Sequence, residues 1–206
     1  MGARHCDLQA LVFGRHDQGE RYWRYQLFDA TEGPVEALWR RSQQASPRAT
    51  PPDLFHELEV ALRSNGGSRA WFIGEHRVIW APDALGRSYA ALQEASQFTR
   101  TLWQNLRHAE HFGPLYTLAR NALEAFASGV RPEVAHFKAL YLFAKEEGYP
   151  VKEEWWTGLP AASRALVAGL LQHSLGEQTA SEEQARIQLA ALQRYLRGST
   201  DILVPG

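Results

Sequence analysis

A short segment near the start of the chain combines arginine with aromatic residues, in the order RYWRY over residues 21–25. Aromatic residues favour β-strands, and successive side chains of a strand point to opposite faces. Trp23 and Tyr25 are therefore predicted on one face, and Tyr22 and Arg24 on the other. An exposed aromatic pair beside arginine could stack the bases of single-stranded nucleic acid. Because large aromatic residues are usually buried, the sequence favours a core position for Trp23 and Tyr25 over a stacking role.

A second segment that could contact nucleic acid extends over residues 40–52. It carries three arginines and no acidic residue, and it is rich in serine, glutamine, alanine and proline. Such a segment could be a flexible arm that binds phosphates through Arg40, Arg41 and Arg48. It could equally be an ordinary solvated loop, and the sequence leaves both alternatives open.

Histidine and carboxylate clusters give only weak signals for metal binding or catalysis. The segment HAEH at residues 108–111 could place two histidines on one helix face, but it lacks the H-E-x-x-H pattern of zinc enzymes. Cys6 is the only cysteine, which excludes a cysteine-based zinc site. The glutamates within residues 146–154 have no nucleophile or phosphate-binding loop beside them, so a solvated face is predicted there. We therefore expect no bound metal, no cofactor and no enzymatic activity.

The composition limits how the chain could bind nucleic acid. The 206 residues are 45% hydrophobic and 22% charged, an ordinary globular balance with enough apolar material for one large or two small domains. The formal net charge is −1, whereas proteins that bind nucleic acid through charge are usually basic, so binding would need a local patch. The start of the chain lacks a signal-peptide core and no apolar run approaches the length of a membrane span. The sequence thus predicts a cytoplasmic protein with no membrane association.

The first 81 residues are predicted to form a domain of five short strands. The apolar or alternating segments are 8–13, 21–28, 35–39, 54–62 and 70–80. Residues 14–20 and 31–34 have the composition of turns, and Gly74 marks a bend in the last strand. A short helix is an alternative at 54–62. Five strands in this length favour a small closed barrel, and the pattern alone does not distinguish an OB-fold from an SH3-like barrel.

Residues 82–206 are predicted to form a helical domain around one central helix. This helix is expected to begin at Pro132, where the missing N–H costs nothing, and to end before Gly148. Val134, Phe137 and Leu140 recur at helical spacing, and a second flank is also apolar. A helix that is apolar over most of its circumference is predicted to be buried.

Two further helices are predicted before the central one and two after it. Ser88 is expected to cap the first, and Ser181 and Gln184 have the spacing of a capping box at the start of the last. The inward faces of the first two helices are predicted to include Leu92 and Leu118.

The centre of the helical region resembles a known family. The segment LARNALEAFA at 118–127, the helix over 133–143 and the GYP ending at 148–150 look like the central signature of the RecO family of recombination mediators. The likeness extends over nearly the whole chain in the order of elements. Residues 10–13 resemble the first strand of the family, and residues 19–21 resemble the turn before its second strand.

Three features differ from many members of this family. A basic run after the third strand is reduced here to Arg40, Arg41 and Arg48. Four zinc-binding cysteines that often follow the central helix are absent. An arginine pair before the central phenylalanine is replaced by Ala135 and His136.

The resemblance implies an α+β fold, with an N-terminal five-stranded OB-fold barrel followed by a C-terminal all-α helical domain. It also implies a non-catalytic role in DNA repair and DNA recombination after DNA damage, in the cytoplasm and associated with the nucleoid. The protein would bind and anneal single- and double-stranded DNA, cooperate with a RecR-type protein and bind the C-terminal tail of single-stranded DNA-binding protein.

The site residues expected on this basis fall into two groups. The expected DNA-binding residues are Arg21, Arg24, Arg40, Arg41, Arg48, Trp23 and Tyr25. The expected partner-binding residues are His136, Lys138 and Tyr141. The alternative is a RecO-like adaptor that has kept its protein contacts and has little affinity for DNA.

Overall fold

The computed structural model describes residues 4–41, 50–64 and 70–205, and the chain divides into two compact units. The first unit is Met1–Pro82 and the second is Asp83–Gly206, which places the division next to the boundary expected after residue 81. The first unit contains a five-stranded sheet and the second contains helices. The expected α+β class and the order of its two parts are therefore confirmed.

The strands of the first unit pair in an order that closes on itself. They are β1 (Arg4–Gln18), β2 (Tyr22–Asp29), β3 (Gly33–Arg40), β4 (Glu57–Ser64) and β5 (Trp71–Trp80). The hydrogen-bonded order is β1-β2-β3-β5-β4, and β4 also pairs with β1. The pairs are antiparallel except for β3 with β5, which run parallel over two residue pairs.

The strand β1 is longer than its composition indicates. Residues 14–20, expected as a turn, continue the strand to Gln18, and the turn is confined to residues 19–21. The register between β1 and β2 shifts by one residue between Val12 and Gly14, which is a β-bulge. Before the bulge, the even-numbered residues of β1 face the core. After the bulge the odd-numbered residues take that side, since Arg15 is opposite the core residue Tyr25. A polar composition thus concealed the second half of this strand.

Inward-facing side chains from all five strands form the core of the sheet. They are Leu8, Ala10, Val12, Tyr25, Leu27, Ala37, Trp39, Leu58, Val60, Leu62 and Ile73. The bend expected at Gly74 coincides with an irregular pairing of β4 and β5 between Val60 and Leu62. A Cβ atom at Gly74 would lie 3.2 Å from the carbonyl oxygen of Ala61, so glycine allows the close approach of these strands.

The segment before β4 forms a turn, and the helix considered for residues 54–62 does not form. Leu54 and Phe55 make the turn, and β4 begins at Glu57. The Phe55 N–H donates a 2.8 Å hydrogen bond to the Val12 carbonyl, and the Val12 N–H donates one of 2.9 Å to the His56 carbonyl. These bonds satisfy the backbone of β1 where the bulge begins.

The helices of the second unit follow the predicted order. They are α1 (Tyr89–Asn105), α2 (Phe112–Ala127), α3 (Pro132–Glu146), α4 (Ala161–Gln172) and α5 (Glu182–Ser199). A π-helical segment, Val151–Trp156, forms the connector after α3. Both predicted caps are confirmed: the Ser88 hydroxyl accepts a bond from the Ala91 N–H, and Ser181 forms the capping box with Gln184. Among the described residues, no helix combines the length and the apolar composition needed to cross a membrane.

The helix α3 is the central helix, as predicted. It packs against α1, α2 and α5, and Val134, Phe137 and Leu140 have no exposed surface. The inward position predicted for Leu92 on α1 is wrong, because Leu92 is 37% exposed, and Leu118 on α2 is only partly buried. Helical spacing defines an apolar stripe, but the neighbouring helices decide where the edge of that stripe becomes exposed.

Replacing Phe137 with alanine should destabilise the second unit by about 3–5 kcal/mol, because the change leaves a cavity in a fully buried position. The aromatic contact with Trp155, at a centroid distance of 6.2 Å, would be lost as well. Urea unfolding followed by circular dichroism measures the effect.

Leu142→Ala is the matched control, since Leu142 lies on the same helix and is 43% exposed. Its cost should be about 1 kcal/mol or less. Equal losses for the two variants would show that α3 is not the centre of the helical packing.

Candidate nucleic-acid interface

Arginine side chains converge on Trp23 at the end of the sheet where β1 turns into β2. The Cζ atoms of Arg15 and Arg41 lie 5.0 and 4.9 Å from the centre of the indole ring. Guanidinium groups at such distances make favourable cation–π contacts. Arg15 belongs to β1 and Arg41 follows β3, so the contacts connect both strands that flank β2. We call Arg15, Asp17, Trp23 and Arg41 the arginine–tryptophan cluster.

Asp17 supplies the acceptor of this cluster. The indole N–H of Trp23 donates a 3.1 Å hydrogen bond to Oδ1 of Asp17, and the guanidinium of Arg41 contacts the same oxygen. The Asp17 side chain is 81% exposed and that of Arg41 is 29% exposed. Exposed ion pairs contribute little to stability, so the main effect of Asp17 is to orient the groups around it.

Backbone register explains why these residues meet. Opposite residues of an antiparallel pair lie on the same face, and Asp17 is opposite Trp23. The N–H of Arg41 donates a 2.8 Å hydrogen bond to the carbonyl of Arg21, which extends the pairing of β2 with β3 by one residue. Arg41 therefore occupies the same face as Trp23, just beyond the end of β3.

The other predicted arginines lie on the same strands but are divided between two faces. Arg24 is on the face opposite Trp23, and its guanidinium is 3.8 Å from the carboxylate of Glu36. Arg40 pairs with Tyr22 on that face and is exposed. Arg21 is exposed in the turn between β1 and β2. The basic residues therefore surround one end of the β2–β3 pair and do not form a single row.

Tyr25 and Trp23 of the predicted DNA-binding set differ in how far they are buried. Tyr25 has no exposed surface, and its hydroxyl donates a 2.9 Å hydrogen bond to the carbonyl of Pro52. A buried ring cannot stack on a base, so the stacking role for Tyr25 is wrong and the alternative core position is confirmed. Trp23 is only partly buried, at the margin of the same core. Arg48 lies outside the described residues.

Sequence reasoning missed Arg15 and Asp17. Both lie in the polar segment that was expected to be a turn and that continues β1 instead. One signal could have found them. The aromatic-rich strand over residues 21–28 needs a partner of similar length for its backbone hydrogen bonds, and the apolar segment 8–13 is too short to provide one.

His136 lies in a buried polar pair, which excludes the predicted contact with a partner. Its side chain is 1% exposed, and its Nδ1–H donates a 2.6 Å hydrogen bond to the carboxylate of Glu94 on α1. The rings of Phe98 and Phe126 approach the imidazole in T-shaped geometry at 6.0 and 6.4 Å. The partner-binding role for His136 is therefore wrong, because surrounding helices cover the ring.

Glu94 also binds a cation on α5. Arg186 donates a 3.1 Å hydrogen bond to the second carboxylate oxygen of Glu94, so the network connects α1, α3 and α5. Burial alone would raise the pKa of Glu94, but the hydrogen bonds and charges of His136 and Arg186 outweigh burial and lower this pKa below 4.5. Glu94 is therefore ionised at neutral pH in the folded protein.

Lys138 and Tyr141 are the other residues predicted to contact a partner. The ammonium group of Lys138 contacts the carbonyl oxygen of His173, which follows α4, and burial lowers the pKa of Lys138. Tyr141 is only 8% exposed, and burial together with the charge of Glu153 raises its pKa. Of these two residues, Lys138 keeps the more accessible side chain.

The two histidines of the HAEH segment line a cavity of about 740 Å³ in the helical unit, together with Glu110, Glu147 and Asp201. Burial and the nearby charge of Glu110 raise the pKa of Glu147. Within residues 4–41, 50–64 and 70–205, no group of three or more histidine, cysteine, aspartate or glutamate side chains could hold a metal ion. This cavity therefore gives no support for a metal centre.

Comparison of the sequence with models of known protein families and with characterised proteins finds no match.

Glu94→Gln should destabilise the second unit by about 1–3 kcal/mol at pH 7, because the change removes the ionised acceptor of a buried network. The pKa of Glu94 is lower in the folded chain than in the unfolded chain. Its stabilising contribution is therefore present above pH 4.5 and is lost as the pH falls through the lower, folded-state pKa. The free energies of unfolding of the original protein and the variant should therefore converge as the pH falls. Urea unfolding of both proteins between pH 3 and pH 8 measures this change.

Glu146→Gln serves as the control, since it neutralises an exposed carboxylate at the end of α3. It should change the free energy of unfolding by about 0.5 kcal/mol or less. A Glu94→Gln penalty that persisted undiminished at pH 3 would contradict the assigned role of Glu94.

Proposed function

We propose that this protein is a non-catalytic mediator of DNA repair and recombination, similar to the RecO family. It binds DNA through the arginine–tryptophan cluster and the arginines beside it. The observation that carries the proposal is the convergence of Arg15 and Arg41 on Trp23 at one end of the sheet. A chain with a net charge of −1 needs such a local concentration of cations to bind a polyanion.

The strand order supports an OB-fold for the first unit. Five strands in the order β1-β2-β3-β5-β4, with β4 returning to β1, are compatible with that Greek-key arrangement. OB-folds bind oligonucleotides on the face of strands 2 and 3 and on the loops that follow strands 1 and 4. Trp23 and Arg24 lie on β2, Arg40 lies on β3 and Arg21 lies in the loop after β1. Arg24, Arg40 and Arg21 would then lie on or beside the outer face of strands 2 and 3, whereas Trp23 lies on the core side of β2, at the end of the sheet.

The chemistry of the cluster suits annealing of DNA strands. Guanidinium groups bind phosphates strongly and carry no sequence preference. The tryptophan ring already has two guanidinium groups over it, so it offers little open surface for a base. A strand held by its phosphates keeps its bases free to pair with a second strand, and this step needs no catalytic residue.

The helical unit is proposed as the surface for protein partners, namely a RecR-type protein and the C-terminal tail of single-stranded DNA-binding protein. The support is the resemblance over residues 118–150, which includes α3 and most of α2. Because His136 is buried, Lys138 is the predicted residue on α3 best placed to pair with a carboxylate of the tail.

A RecO-like adaptor with little DNA affinity is the second candidate. The specific observation in its favour is that two of the arginines already have internal partners. Arg41 contacts Asp17, and Arg24 lies 3.8 Å from Glu36. Such pairing reduces the positive potential available to a phosphate.

Replacing Arg40, Arg41 and Arg48 with alanine should weaken binding to single strands of unrelated sequence. Each phosphate contact releases counterions, so three lost contacts should reduce the slope of log affinity against log salt concentration by about two. Fluorescence anisotropy with labelled oligonucleotides at several salt concentrations measures this slope.

The matched control replaces Arg87, Arg100 and Arg194, three exposed arginines of the second unit, with alanine. This variant has the same change in net charge and should keep the slope of the original protein. Equal losses in both variants would contradict the location of the interface, and no binding by the original protein at low salt would favour the adaptor.

A further inference from the structure

The arginine–tryptophan cluster contains a carboxylate between donors that suit a phosphate. One oxygen of Asp17 accepts a 3.1 Å hydrogen bond from the indole N–H of Trp23 and contacts the guanidinium of Arg41. Arginine and neutral N–H groups are also the donors that proteins use to bind the phosphates of a nucleic acid. A phosphate oxygen and this carboxylate oxygen are therefore alternative ligands for the same groups.

The geometry points to Asp17 as an internal competitor of phosphate, which occupies the Arg41 and Trp23 donors until a polyanion displaces it. This inference rests on the proposed function, because it concerns regulation of the same binding site. The carboxylate acts by reversible exchange of one ion pair for another, and no covalent step is involved.

The contacts of Asp17 are suited to exchange. Its side chain is 81% exposed, so water can solvate the carboxylate as soon as it leaves Arg41. Exposed ion pairs have a small net free energy, which a phosphate with its released counterions can exceed.

Competition of this kind sets a minimum number of contacts that a ligand must make in order to bind. An isolated anion gains only one contact and must displace a carboxylate that is permanently held beside the site. A strand that also contacts Arg15 and Arg21 gains several contacts at once, so it can overcome the loss of the Asp17 ion pair. The cluster should therefore discriminate in favour of extended polyphosphate chains over single phosphates.

Asp17→Asn tests the inference in the full-length chain. Asparagine keeps an oxygen that can accept from the indole N–H but removes the charge that competes with phosphate. Affinity for single-stranded DNA should rise about two- to fivefold, the range expected when one exposed ion pair is removed. The salt slope should stay close to that of the original protein, because the bound strand contacts Arg41 in both proteins.

Asp7→Asn is the matched control for the change in net charge. Asp7 lies on the same strand, before the bulge, and its exposed side chain is 3.6 Å from His5. Its replacement should leave the affinity for single-stranded DNA nearly unchanged. Arg41→Gln provides the second comparison, since in its background the gain from Asp17→Asn should disappear if the aspartate acts through Arg41.

The results separate failure of this inference from failure of the proposed function. If DNA binds but Asp17→Asn and Asp7→Asn have equal effects, or the gain persists with Arg41→Gln, the competitor role is overturned and DNA binding stands. Inorganic polyphosphate is the second probe, because it has phosphates without sugars or bases. Binding of polyphosphate with the expected gain, but no binding of DNA, would support the competitor role and overturn the DNA function. No binding of either probe by any variant at low salt would overturn both.

Discussion

The pairing of β1 with two neighbours is the constraint on which the first unit depends. One strand of fifteen residues closes the sheet by bonding to β2 along one edge and to β4 along the other. The bulge after Val12 lies where the composition of this strand changes from apolar to polar. Before the bulge the inward side chains fill the core, and after it the inward face carries Arg15 and Asp17. A strand without the bulge would send these two side chains to the other face, away from Trp23, because one residue of slip reverses every side chain.

The second unit depends on a different kind of constraint. The helix α3 is enclosed by other helices, and apolar packing accounts for most of its contacts. Within that packing, Glu94 requires donors from two other helices, and His136 and Arg186 provide them. Apolar side chains tolerate small rotations of a helix, whereas a buried carboxylate with two hydrogen-bond partners does not. The network therefore favours one relative arrangement of α1, α3 and α5.

Charge in the first unit is arranged locally, because the chain as a whole is almost neutral. Arginine side chains lie around Trp23. The neighbouring carboxylates fix the positions of these side chains without neutralising all of their positive charge. The indole ring has a structural function in this arrangement, since it lies under two guanidinium groups and restricts their positions. Orienting the cations in advance reduces the entropy that a ligand would have to overcome on binding. The proposed binding of a polyanion would depend on this local patch and not on the overall charge of the chain.

The sequence by itself determined the elements whose signals are local. Helical spacing and the residues Pro132, Ser88 and Ser181 identified the helices of the second unit, because caps and periodicity act within a few neighbouring residues. The sequence also determined that any nucleic-acid site must be a local patch. Only the tertiary structure decided which residues surround Trp23. Arg15 and Asp17 were expected in a turn but lie in β1, because β1 continues along β2. Tyr25 is buried because the sheet closes around it. Packing around α3 likewise buried His136. These outcomes depend on strand register and on contacts between residues far apart in the chain, and local composition does not encode either of them.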